Sequence, residues 1–215
     1  MDKLAKIIDR IQNDFEAKNE ARDIALRRSR ELIRRCANTI RAIHRAEYDE
    51  AAKMLDATRQ AAEEMIEGVR EYPDLYHTGY TQDALKEYVE ANTTYALITD
   101  TPLPTPEELN VEYAAYLNGL AEAASELRRH ILDIIRRQGH SERAEQLLGY
   151  MEEIYSHLVT IDFPKAITFG LRRTTDVLRA VTERTRGDLT TNLRQTQLQT
   201  ALQSLEKKLD RGEES

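Results

Sequence analysis

Tryptophan is absent from this 215-residue chain, only three phenylalanines occur, and one cysteine, Cys36, stands alone. A single thiol excludes an internal disulfide and a cysteine-based zinc centre, and it suits a reducing, cytoplasmic location. Proline (5) and glycine (8) are scarce, and no alternating β-branched run reaches strand length, so the expected class is all-α. No apolar stretch approaches the roughly 20 residues that cross a bilayer, and the charged start Met1-Asp2-Lys3 opens no signal peptide. The Gly-rich phosphate loop, the His-Glu-x-x-His pair and the Gly-x-Ser-x-Gly elbow are missing as well. Their absence removes P-loop, zincin and α/β-hydrolase chemistry from consideration.

What is present is a large stock of helix formers and two pairs of glutamates. Glu87-x-x-Glu90 lies in the run Lys86-Glu87-Tyr88-Val89-Glu90-Ala91, and Glu122-x-x-x-Glu126 follows after 31 intervening residues. Residues three or four apart are neighbours on a helix, so each pair occupies one face. Among 38 acidic residues such a pair is most often a solvated face. Here the neighbours differ: Tyr80, Ala84, Ala91 and Ile98 share the side of Glu87, which implies a partly buried carboxylate in need of a partner. Ala115, Asn118, Gly119 and Ala123 surround the second pair and are small enough to admit a backbone or a substrate. Four carboxylates brought together suit Mg²⁺ or Mn²⁺. His130, one turn after Glu126, is taken as a surface residue and not as a ligand.

The formal net charge of −7 conceals an asymmetry. Eight arginines between Arg22 and Arg45 face only Asp23 and Glu31, so that segment carries +6 and the rest of the chain −13. At about 100° per residue, Arg27, Arg30, Arg34, Arg41 and Arg45 fall on one side of a helix while Leu32, Ile33, Cys36, Ile40 and Ile43 fall on another. With few local acids to neutralise it, such a face suits a polyphosphate backbone. No clustered aromatic platform for base stacking accompanies it; Tyr72, Tyr76 and Tyr80 read as turn and core residues.

The length suits one domain, expected over residues 1–210 with 211–215 as a frayed tail. A first helix runs uninterrupted from about Asp2 to Arg45, with Leu4, Ile7, Ile8, Ile11 and Phe15 as its early apolar stripe. A second spans Tyr48 to Val69, and a third spans Thr81 to Ile98 and carries Glu87 and Glu90. The Pro-rich run Thr101–Pro106 is a loop. Thr105, Pro106, Glu107 and Glu108 then open a fourth helix, expected to continue to Gln138. A fifth covers Ser141 to Val159, Asp162-Phe163-Pro164 turns the chain, and the remainder is helical to Leu209 with a break near Gly187.

Glu87-Tyr88-Val89-Glu90-Ala91 and the block from Tyr116 to Leu127 resemble the two acidic motifs of the translin family, in the branch of translin-associated factor X. Ser29-Arg30-Glu31 through His44-Arg45 is similar to the first-helix pattern of that family. The resemblance implies a seven-helix fold, a closed hollow homo-octamer that binds RNA, and Mg²⁺-dependent endoribonuclease activity. It further implies Glu87, Glu90 and Glu122 as catalytic acids and Glu126 as a further metal ligand. Glu122 departs from the family pattern, in which aspartate is usual. The arginine face would hold the RNA backbone.

Two other readings are consistent with acids in this pattern. One is an all-α nucleoside triphosphate pyrophosphohydrolase, whose second acidic pair is typically spaced by three and lies closer to the first. The other is a translin-like protein that binds nucleic acid without cleaving it.

Overall fold

The computed structural model describes residues 2–139 and 141–213, with side chains described to residue 209. Among the described residues there are only helices and connections. Six helices are long: α1 (Asp2–His44), α2 (Tyr48–Glu67), α4 (Gly79–Thr99), α6 (Tyr113–Gln138), α7 (Glu142–Leu158) and α9 (Leu171–Glu213). Three single turns punctuate them: α3 (Pro73–Tyr76), α5 (Pro106–Leu109) and α8 (Lys165–Thr168). The expected all-α class holds. None of the helices is long and apolar enough to cross a membrane.

α4 is the centre of the bundle. It packs against α1, α2 and α6, while α7 and α9 cover the other side of α6. Fourteen of the 21 residues of α4 are buried, including Thr81, Leu85, Tyr88, Val89, Glu90 and Ile98. A helix enclosed on nearly every side has no solvent face for its polar groups. Thr93 therefore donates its hydroxyl to the Val89 carbonyl at 2.8 Å, and Asn92 donates to Tyr88 at 2.8 Å. Its last carbonyls lack helical partners; the Arg143 guanidinium of α7 donates to those of Leu97 and Ile98, 2.8 Å each.

Where the chain bends, the structure departs from the sequence expectation in three ways. The capping box at Thr105 and Glu108 forms, but it heads only α5, because Asn110 enters the left-handed region at φ 52° and α6 begins afresh at Tyr113. No break occurs near Gly187; α9 runs through it to Glu213. A helical glycine costs only about 1 kcal/mol relative to alanine, and packing against α6 and α7 outweighs that. The real interruption falls earlier, at Phe169 (φ 49°) and Gly170 (φ 98°), two consecutive left-handed residues that turn α8 into α9. Residues 214–215 of the expected tail lie outside the described residues.

The start of α1 and the end of α9 carry uncovered apolar stripes. Leu4, Ile7, Ile8, Ile11 and Phe15 on α1, and Leu198, Leu202, Leu205 and Leu209 on α9, are all exposed. The spacing of the first stripe correctly indicates an amphipathic helix, but among the described residues the stripe stays exposed.

Candidate active site

Gly119 is where the site begins. A Cβ at this position would lie 2.6 Å from the Lys86 carbonyl oxygen and 2.7 Å from the Val89 Cβ, so α6 rests directly on the backbone of α4. The small-residue surroundings of the second glutamate pair thus admit another helix. One turn beyond this contact α6 presents Glu122, facing Glu87 and Glu90 of α4.

Carboxylate oxygens of Glu87, Glu90 and Glu122 lie within 4.8 Å of one another. Glu90 is buried, and Glu87 and Glu122 are half-buried. Three acids at this range cannot all ionise cheaply. Burial, then the charges of Glu87, Glu122 and Glu126, push the Glu90 carboxyl up to about 8. Burial also raises Glu122, against the pull of Lys86.

Lys86 is the cation of this cluster, and sequence reasoning passed over it. Its Nζ donates to Glu122 Oε2 at 2.5 Å and lies 3.2 Å from Glu87 Oε1. Burial works against its charged form, but Glu122 and Glu87 more than offset this, and the ammonium holds its proton above the usual lysine range. The distant pairing of positions 86 and 122 left no mark in the local pattern.

Glu126 is set apart from the other three acids. The ring of His44, at the end of α1, donates from Nε2 to Glu126 Oε2 at 2.7 Å, and this bond holds the carboxyl below its usual range against the opposing effect of burial. The His44 side chain is only 2% exposed. Its Nδ1 has no partner among the described residues, so Glu126 is the one group that orients the ring. His130 is half-buried rather than on the surface, and burial lowers its pKa.

The arginines of α1 occupy a different surface. All five, Arg27, Arg30, Arg34, Arg41 and Arg45, are exposed. Leu32, Cys36, Thr39 and Ile43 lie on the opposite, buried side of the helix. The buried Cys36 thiol is raised by desolvation and by the charges of Glu87 and Glu90, so the buried side is the one that faces the acids. Within one chain α1 separates the arginine face from the carboxylates. The face is also partly engaged: Arg34 pairs with Glu31 and Arg45 with Glu47 at 2.6 Å, which offsets their charge, and Arg41 donates to the neutral amide of Asn38. Arg27 and Arg30 have no partner among the described residues.

A cleft of about 1380 Å³ opens onto the site. Glu90, Glu122 and Glu126 line it together with Lys165, Arg172, Arg173 and Arg179. These basic residues were not singled out from the sequence. The only local signal is the Arg172-Arg173 doublet after Gly170.

The raised Glu90 carboxyl has a consequence for stability. Between the ordinary carboxylate range, near 4.5, and about 8 the folded protein retains a proton that the unfolded chain has released, so this group's contribution falls as pH rises through that window. Glu90→Gln keeps the shape and removes the ionisation. In chelator-treated protein it is expected to raise Tm at pH 8 by about 5 °C and by much less at pH 5. Thermal melts at the two pH values check this; equal shifts at both would show that Glu90 is already ionised in the fold.

The geometry defines an all-helical protein with an acidic centre in a basic-walled cleft. No protein-family model matches the chain. An uncharacterized protein of Methanocaldococcus jannaschii is 29% identical over 209 residues, which cover 96% of this chain and 90% of that protein. The structure of AfC3PO in complex with duplex RNA is similar with a TM-score of 0.79 and 33% identity, over 86% of this chain and 95% of that one. A crystal structure of AfC3PO gives 0.80 and 32%, over 86% and 96%. The structure of apo-NeC3PO, 24% identical with a TM-score of 0.77 over 86% of this chain and 96% of that one, shares the fold. The chain belongs to the C3PO, or translin, family.

Proposed function

We propose that this chain is a divalent-metal-dependent endoribonuclease of the translin-associated factor X type. It acts as a self-assembled closed shell, a homo-octamer. The observation that carries the reading is the set of three carboxylates, built from two helices and within 4.8 Å of one another, two of which (Glu90 and Glu122) line a large cleft. A related protein, AfC3PO, has been solved as a complex with duplex RNA, which supports RNA as the substrate. The exposed stripes at the start of α1 and the end of α9 support self-association, since patches of that kind mark interaction sites.

The donor set fits Mg²⁺ or Mn²⁺. It offers oxygen ligands only, and one carboxyl is held towards neutrality by burial and then by its acidic neighbours, a cost that a divalent cation would relieve. Bound there, the cation supplies Lewis-acid polarisation of a phosphodiester and activation of water at neutral pH.

Glu87, Glu90 and Glu122 would hold the ion, with Glu90 in its ionised form. Lys86 bridges Glu87 and Glu122 and offsets their charge. With a cation held by the acids, its ammonium would be available to the negative charge of the scissile phosphate. Glu126, steered by His44, keeps Oε1 available to orient the attacking water or to serve as a further ligand. The chain's glutamate at position 122 extends one methylene further than aspartate, and Lys86 takes up that reach.

Purified protein incubated with labelled single-stranded and duplex RNA and Mn²⁺ or Mg²⁺ is expected to give internal cleavage that chelation abolishes. A panel of nucleoside triphosphates under the same conditions is expected to stay intact. Pyrophosphate release with uncut RNA would establish the pyrophosphohydrolase instead, and bound but uncut RNA would leave a binding protein only.

A further inference from the structure

We propose that the corner between α8 and α9 is the wall that grips the RNA phosphate backbone, through Lys165, Arg172 and Arg173, and that the arginine face of α1 does not hold the cleaved strand. The inference rests on the nuclease reading and assigns the substrate contacts within it.

Three observations carry it. The first is location: these three cations open onto the same cleft as Glu90, Glu122 and Glu126, whereas the α1 arginines lie across that helix from the acids. A phosphodiester must sit beside acidic groups that repel it, and fixed cations in the same cleft compensate.

The second is availability. Arg172 and Arg173 are exposed and have no partner among the described residues, while Arg34 and Arg45 of α1 are already engaged with glutamates. Arg179 shares the wall but faces Glu183 at 3.7 Å, and Asp162 and Asp176 also line the cleft. Of the arginines that line the cleft, Arg172 and Arg173 are therefore the ones best placed to pair with phosphate, in the bidentate geometry guanidinium favours.

The third is that the wall is built rather than merely exposed. Asn118 of α6 is buried and sits one turn before Glu122. Its amide donates to the Thr168 carbonyl at 2.9 Å, and its carbonyl oxygen accepts from the Thr174 hydroxyl at 2.8 Å. These bonds fasten both sides of the Phe169–Gly170 turn to the helix that carries Glu122 and Glu126. The cations are thereby held in register with the acids, as positioning of a strand for chemistry requires.

The test measures binding of a labelled duplex RNA to the full assembled protein by fluorescence anisotropy at several salt concentrations, with Mn²⁺ titrated separately. Arg172→Glu/Arg173→Glu is expected to weaken RNA binding at least about tenfold and to flatten the slope of log K against log salt by about two. It should leave the Mn²⁺ isotherm and the mass of the assembly unchanged. Arg27→Glu/Arg30→Glu is expected to stay within about threefold of wild type. If charge reversal impairs folding, Arg172→Gln/Arg173→Gln carries the same comparison with a smaller loss.

Unchanged affinity in the α9 variant, while wild type still cleaves RNA, overturns the wall and leaves the nuclease standing. Loss of affinity together with the assembly also overturns it, since the arginines then belong to a subunit contact. RNA held through α9 by a wild type that never cleaves it leaves the wall in place and removes the nuclease.

Discussion

Glu90→Gln is expected to reduce metal-dependent RNA cleavage by on the order of 10²- to 10³-fold while leaving RNA binding within a factor of about two. The substitution is nearly isosteric and keeps the side chain in its buried slot. What it removes is one anionic oxygen donor from a set of three within 4.8 Å. Glu87 and Glu122 are half-exposed and can regain hydration when the ion leaves, whereas Glu90 is buried and its ionised form is expensive without a cation. That confinement is what would make it a strong ligand in the proposed site. The same confinement makes it a burden on the metal-free fold, so the variant should be more thermostable at high pH yet inactive. Gain of stability with loss of function is what a site maintained for chemistry produces. A mobility-shift assay beside a cleavage time course separates the two effects. Full cleavage by Glu90→Gln would remove the carboxylate cluster from the mechanism.

The parts of this site that were legible in the sequence are those that depend on spacing along one helix. Glu87 with Glu90, and Glu122 with Glu126, each announce a face, and the small residues around Gly119 announce a close approach. The first-helix pattern likewise gave an amphipathic helix whose arginines share one side. Interactions across helices left no local trace. His44 and Glu126 are separated by 82 positions and Lys86 and Glu122 by 36, and in both cases the partner is fixed by how α1, α4 and α6 pack. That packing is why Glu126 bonds to His44 beside the cluster of three, and why basic residues of α8 and α9 share the cleft with the acids. Turn signals were ambiguous for a related reason. Gly187 and Gly170 look alike as letters, but only Gly170 sits where the chain must reverse, at φ 98°.

Gly119→Ala is expected to cost roughly 3 kcal/mol, lowering Tm by about 6–12 °C. In most helices the same change stabilises, because alanine is the better helix former by about 1 kcal/mol. Here the added methyl would meet the Lys86 carbonyl oxygen at 2.6 Å and the Val89 Cβ at 2.7 Å. The first of these is backbone of the most enclosed helix in the bundle and cannot swing aside. α6 must therefore move away from α4, and α4 carries Glu87 and Glu90 while α6 carries Glu122. Any separation that relieves the clash widens the carboxylate cluster, so Mn²⁺ affinity should fall together with stability. Gly187→Ala is the internal comparison. It lies mid-way along α9 with nothing within 4 Å of a built Cβ, and it should raise stability by up to about 1 kcal/mol with metal binding unchanged. Paired thermal melts and Mn²⁺ titrations on the two variants decide the matter. If Gly119→Ala is neutral or stabilising, the close α4–α6 contact is not what sets the spacing of the acids.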